Sequence, residues 1–185
     1  MERVNVLDFL TGKLELTTSV QERYLSDLVD YFAFREEAER ILKERNPLIY
    51  KVYEMAYSGP GALSYAITEI EPGKIGKEYY FTKGHFHSKA AAEVYIVLGG
   101  EGILLMENRS GNTRTLNMFK GAVLYVDPEY AHRSINTGNE KLIFLAVYQS
   151  DAGHDYESIK EKGFSFIVVD ENGPKIIKNP RSTKK

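Results

Sequence analysis

The 185-residue chain contains no cysteine and no tryptophan. Without cysteine there is no disulfide, no thiolate nucleophile, no zinc finger and no iron–sulfur cluster. Any metal has to be held by His, Asp, Glu, or backbone and hydroxyl oxygens. An excess of one charge is also missing: 24 Lys and Arg stand against 26 Asp and Glu, a formal net charge of −2. A phosphate backbone calls for a basic face, so nucleic acid is not the expected partner. No stretch approaches the roughly 18 uninterrupted apolar residues of a membrane span. The opening residues, MERVNVLDFLTGKLEL, lack the basic cap and apolar run of a signal peptide. The expectation is a cytoplasmic protein with no membrane partner.

What is present points to a packed domain. Hydrophobic residues make up 43%, with 13 Tyr and 9 Phe, and the 27% of charged residues nearly cancel in sign. Such a chain can fill a core and does not read as disordered; its length fits one domain. Residues 26–44 set Leu28, Tyr31, Phe32, Ile41 and Leu42 at helical spacing. The run REEAER at 35–40 is a good helix former that has to stop before Asn46-Pro47. One or two short helices are expected there, in an N-terminal extension over 1–47 that packs on the rest. From Leu48 the pattern turns to strands, expected at 48–53, 63–68, 78–81, 93–98, 102–106, 122–126, 142–148 and 164–169. Turn formers separate them: Pro72-Gly73 and the segments 108–112, 136–139 and 170–173. Many short strands with such punctuation mean an all-β dominated fold, an antiparallel sandwich or barrel over 48–178. The polar residues 179–185 read as a frayed tail.

Only four histidines exist, and three fall where strands can gather them. His85 and His87 flank Phe86, so on a strand they point to one face. After five intervening residues Glu93 opens the run EVYIV, with Tyr95 on the same face as Glu93. That link is short enough for a hairpin. The strand at 122–126 runs into Asp127-Pro128-Glu129, a turn that delivers His132. His85, His87, Glu93 and His132 form a donor set for Fe(II), Mn(II), Ni(II) or Zn(II), and it leaves coordination positions open. An H-x-H pair alone is a weak signal. The weight lies in the set, because buried polar groups without partners are costly.

These motifs resemble the cupin superfamily. Its first motif reads here as His85-Phe86-His87, five residues, Glu93, six residues, Gly100. Its second keeps Gly121, His132 and Asn136, with Asp127 and Glu129 where the motif has Pro and Gly. More narrowly, GKEYYFTKGHFH at 76–87, AAEVY at 91–95, YAHR at 130–133, DAGHDY at 151–156, EKGFS at 161–165 and NPR at 179–181 resemble the archaeal-type, cupin-fold glucose-6-phosphate isomerases.

The resemblance implies a cupin-type antiparallel β-barrel, jelly-roll-like, with short helices in the N-terminal region. It implies interconversion of glucose 6-phosphate and fructose 6-phosphate in glycolysis and gluconeogenesis, by a homodimer with one divalent metal per subunit. Fe2+ comes first, and Mn2+, Ni2+ or Zn2+ also suit. Carried over by position, His85, His87, Glu93 and His132 are the metal ligands. Tyr50, Thr68, Thr82 and Gly84 hold the phosphate, and Tyr156 binds substrate beside them. Glu93, His154 and Tyr95 are the catalytic candidates. Hydroxyls and a bare glycine backbone suit a phosphate; Lys83 could help neutralise it or be a solvated lysine.

Other readings stay open. The same barrel could serve a metal-dependent dioxygenase or sugar epimerase, or a non-catalytic sugar-phosphate-binding cupin. Taken without the resemblance, His154 is as well read as a surface loop residue, and Tyr95 and Tyr156 as core aromatics. Whether hydrogen moves between C1 and C2 by an enediolate or a hydride shift is open too.

Overall fold

The computed structural model describes residues 4–182. The N-terminal part runs β1 (Leu7–Asp8), β2 (Lys13–Leu14), β3 (Ser19–Tyr24), α1 (Leu25–Leu28) and α2 (Arg35–Leu42). Then come β4 (Leu48–Met55), β5 (Leu63–Ile70), β6 (Lys74–Ile75), β7 (Glu78–Tyr79), β8 (Glu93–Gly99), β9 (Glu101–Asn108) and β10 (Thr113–Phe119). The last are β11 (Val123–Val126), β12 (Tyr130–Asn136), β13 (Leu142–Gln149), α3 (Glu157–Lys162), β14 (Phe166–Asp170) and β15 (Pro174–Lys178). The expected all-β architecture with short N-terminal helices is the one found. No helix among the described residues is long and apolar enough to cross a membrane.

The strands pair antiparallel in four sheets. The largest has the order β11-β8-β13-β5-β4-β3; the others are β10-β9-β12, β15-β14-β7-β6 and β1-β2. Single bridges, Phe81 with Ile135 and His85 with His132, lay residues 81–85 alongside β12. The ladders therefore stop short of one closed barrel, because bridges replace continuous pairing along this seam. The core draws on every part: Phe32 from the α1–α2 link meets Phe81 at 4.3 Å between ring centroids, and Phe144 and Phe164 are fully buried.

Register in the six-stranded sheet decides what shares a face, since successive side chains alternate. Glu93 lies opposite Tyr148, and Tyr95 opposite Ala146. Ala146 is opposite Ala66, and Phe144 opposite Thr68. Thr68 is opposite Val52, and Val52 opposite Gln21. Tyr50 is opposite Arg23. All of these face one cavity except Gln21's neighbours outside the ladder, and the rows tie the N-terminal β3 to the same face as Tyr50.

Four expectations need correction. The segment read as a turn delivering His132 is strand β12, buried along all of its length. Both faces of β12 are covered, so the usual alternation vanishes. Residues 85–87 and Glu93 do not form a hairpin: the first bridge to β12 and Asp155, the second opens β8 in the other sheet. Strand β3 lies in the stretch read as helices alone. The polar tail is not frayed where it is described. Asn179 is buried, its Nδ2 donates to the Phe164 carbonyl at 2.8 Å, and Arg181 donates to the carbonyls of Asp30 and Lys160. Residues 183–185 lie outside the described residues.

Candidate active site

His85 reaches the site from the bridged segment beside β12. Its backbone exchanges bonds with His132: His85 N–H donates to His132 O at 3.4 Å and His132 N–H to His85 O at 3.1 Å. The two rings stand 4.5 Å apart, and His87 is 5.3 Å from each. Glu93 faces them from β8. Its carboxylate lies 2.9 Å from His132 Nε2 and 3.6 Å from His87 Nε2. One ligand atom from each of the four falls within 4.8 Å of all the others. The cluster expected from the sequence is therefore assembled, and these residues could hold a metal ion.

The donor atoms pass a further test of fit. His85 Nε2, His87 Nε2, His132 Nε2 and Glu93 Oε2 are buried without hydrogen-bond partners; the 2.9 Å His132–Glu93 approach is an ion-pair contact lacking hydrogen-bond geometry. Orphaned buried polar atoms are expensive unless something binds them. His87 Nδ1 is 2.6 Å from the Ala91 carbonyl, which can only accept, so Nδ1 carries the proton and Nε2 keeps its lone pair.

Electrostatics set the charge states. Burial pushes the Glu93 carboxyl up, but the neighbouring His132, together with hydrogen bonds from His132 and His87, brings it well below the usual carboxylate range. Burial, reinforced by His132 and His154, holds His85 well below the usual imidazole value. Burial also lowers His154. Burial and then Glu93 raise Tyr95, whose hydroxyl hydrogen-bonds to the Glu93 carboxylate. The set is an ionised carboxylate among neutral donors.

The cluster opens into a cavity of about 570 Å³, a size suited to a small ligand. His85, Glu93, Tyr95, His132 and His154 line one part, and Tyr50, Thr68, Thr82, Lys83 and Gly84 another. Every expected site residue except His87 lines it, Tyr156 included, and His87 joins through the cluster. His154 is exposed, yet its ring sits 4.4 Å from His85 and stacks on Tyr156 at 5.5 Å with an 11° interplanar angle. The loop that carries it is pinned to the ligand segment, since Asp155 N–H donates to Phe86 O at 2.8 Å. Gly84 has φ +73°, and an added Cβ would meet Phe164 at 2.8 Å and His132 O at 3.0 Å, so only glycine fits.

The matching family model is Glucose-6-phosphate isomerase (GPI), over residues 13–184. The chain belongs to the glucose-6-phosphate isomerase family. The Glucose-6-phosphate isomerase of Pyrococcus abyssi is 46% identical over 178 residues, 95% of this chain and 94% of its own. That of Thermococcus kodakarensis is 50% identical over 178 residues, 95% and 93% of the two chains. A solved structure of oxalate oxidase matches with a TM-score of 0.50 at 16% identity, over 60% of this chain and 56% of that one. At that identity the likeness speaks for the cupin-like fold alone.

Within this family member the structure adds cavity residues that sequence reading passed over. Tyr148 and Glu54 line the cavity, and the Tyr148 hydroxyl donates to the Glu54 carboxylate. Alternation along β13, Phe144, Ala146, Tyr148, was the available signal. Arg23 and Tyr31 line it from the N-terminal region, and Lys160 from α3. No local pattern marks Arg23. Lys83 is pulled below its usual value by burial, then by Arg23. The cavity thus has a cationic end, Arg23, Lys83 and Lys160, none in an ion pair with a described residue at salt-bridge distance.

Proposed function

We propose that the chain interconverts glucose 6-phosphate and fructose 6-phosphate with a divalent cation held by His85, His87, Glu93 and His132, Fe2+ first and Mn2+, Ni2+ or Zn2+ as alternatives. The observation that carries this reading is the four orphaned donor atoms at one side of a cavity whose other side is hydroxyl-rich and cationic. When bound, such a cation supplies Lewis-acid polarisation of a carbonyl and offsets developing oxyanion charge.

The protein's own groups do the rest. Thr82 Oγ1 accepts from Ser134 N–H at 3.1 Å, leaving its O–H free to donate to a phosphate oxygen. Thr68, Tyr50, the exposed Gly84 backbone and the Arg23–Lys83 pair complete an anion subsite. Tyr156 and His154, stacked together, flank the sugar chain, where the neutral imidazole can assist ring opening. Glu93, ionised, is the base candidate for carrying a proton between C1 and C2. Tyr95 keeps that carboxylate oriented by its hydrogen bond. In the hydride route no base takes part. The polar, cationic lining favours a phosphorylated ligand over an oxygenase's apolar pocket.

The same reading takes the chain as one domain: an extension over 1–47 that contributes β3 and Arg23, a barrel over 48–178 and a polar tail. It also takes the protein as a cytoplasmic homodimer. A coupled assay for glucose 6-phosphate formed from fructose 6-phosphate, before and after EDTA and metal add-back, tests the activity. Loss on chelation with recovery on add-back is expected; activity indifferent to chelation would remove the metal. Turnover in heavy water separates the routes, since label in product excludes a pure hydride shift.

A further inference from the structure

Residues 132–134 of β12 grip residues 82–85 at several points. His85 and His132 exchange backbone bonds. Thr82 N–H donates to Ser134 O at 2.9 Å, and Ser134 N–H returns a bond to Thr82 Oγ1 at 3.1 Å. Between them Arg133 is 2% exposed. Strand alternation turns it away from the face of His132. Its guanidinium lies 4.0 Å from the Phe81 ring and 4.8 Å from the Phe164 ring, and Nη2 donates to the Lys83 carbonyl at 2.7 Å. Arg133 Nε is buried without a partner.

Burying a guanidinium is costly, and a methionine would fill similar space without that cost. What a methionine cannot do is hold the Lys83 carbonyl from a flat position between two rings. A lysine cannot either, since its ammonium is a compact point charge on a flexible stem. Phe164, one wall of this sandwich, is also the contact that leaves no room for a Cβ at Gly84.

We propose that Arg133 is a positioning residue: it holds the Thr82-Lys83-Gly84 turn at a set distance from the His/Glu cluster, and so matches the spacing of the phosphate and carbonyl ends of the substrate. This deepens the isomerase reading and rests on it.

The test compares Arg133→Lys with wild type, both full length and Mn2+-loaded. Phe164→Leu is a second variant that keeps the guanidinium and removes one wall. Four quantities are read: the unfolding midpoint, the Mn2+ Kd, the Kd for inorganic phosphate, and KM and kcat for fructose 6-phosphate. In Arg133→Lys the phosphate Kd and the KM should rise ~10-fold while the Mn2+ Kd stays within about 2-fold. Phe164→Leu should move the same quantities in the same direction by less. A folded Arg133→Lys protein with unchanged phosphate affinity would overturn the proposal. So would equal losses of Mn2+ and phosphate binding, the mark of a general packing defect. Should Arg133→Lys fail to fold, Phe164→Leu decides by the same criteria. A wild-type protein that binds Mn2+ and phosphate without isomerising sugar phosphates sinks the functional reading instead, and the phosphate affinities still judge Arg133.

Discussion

The two ends of the cavity are built in opposite ways. At one end four side chains bring their donor atoms within 4.8 Å of one another in a buried knot. At the other, Arg23, Tyr50, Thr68, Thr82 and Lys83 come from β3, β4, β5 and the 82–84 turn, as a looser ring of hydroxyls, cations and backbone. A transition-metal ion selects few ligands in a tight geometry, whereas a phosphate accepts many donors around a larger sphere. Loss of one group should therefore be near fatal at the first end and partial at the second.

The sharpest way to break this contrast is His87→Ala. Activity should fall by at least about 10²–10³-fold, the scale of losing a group that stabilises developing charge. Elemental analysis should show metal lost in parallel. Full activity in a metal-depleted variant would end the distinction between the two ends.

A second test concerns what supports the looser end. Glu78 is buried, and its Oε2 accepts the Ala33 N–H at 2.8 Å, which anchors the loop carrying Tyr31. Burial pushes its carboxyl from 4.5 up to about 7. A carboxyl raised in the folded state adds its full stability below pH 4.5 and loses it as pH climbs through about 7. Glu78→Gln removes that slope and leaves an acceptor for Ala33. Between these limits wild type should lose about 3 kcal/mol relative to the variant, from pKa linkage. Denaturant melts across this pH range check it; parallel curves would show that Glu78 titrates normally.

The smallest effect is expected from Arg23→Ala, one member of the loose ring. KM for fructose 6-phosphate should rise about tenfold, equivalent to ~1.4 kcal/mol, with metal content unchanged. A collapse comparable to that of His87→Ala would mean the phosphate end is as tightly coupled as the metal end.

The dense end was the more legible in sequence for the same reason that it is fragile. A tight cluster needs rare residue types at narrow spacing, and His85-Phe86-His87 with Glu93 and His132 displays them. The path between them was not legible: residues 88–92 carry the chain from one sheet to another, which no local preference reports. Strand β12 was hidden because Tyr130–Asn136 is buried on both faces and mixes His, Arg, Ser and Asn with apolar residues. Helix α3 buries Ile159 alone, too little for a helical period to show. The turn assignments held, as at Asn172, whose φ of +60° is one that Asn tolerates.

By itself the sequence determined the fold class, the turns and the identity of the donor atoms, because alternation, glycine and histidine spacing act between near neighbours. Only the tertiary structure decided that His85 lies against His132, that Arg23 stands opposite Tyr50, and that Arg133 joins the two ends. Those pairings link segments far apart in the chain, where register and burial choose among partners that local preference cannot tell apart.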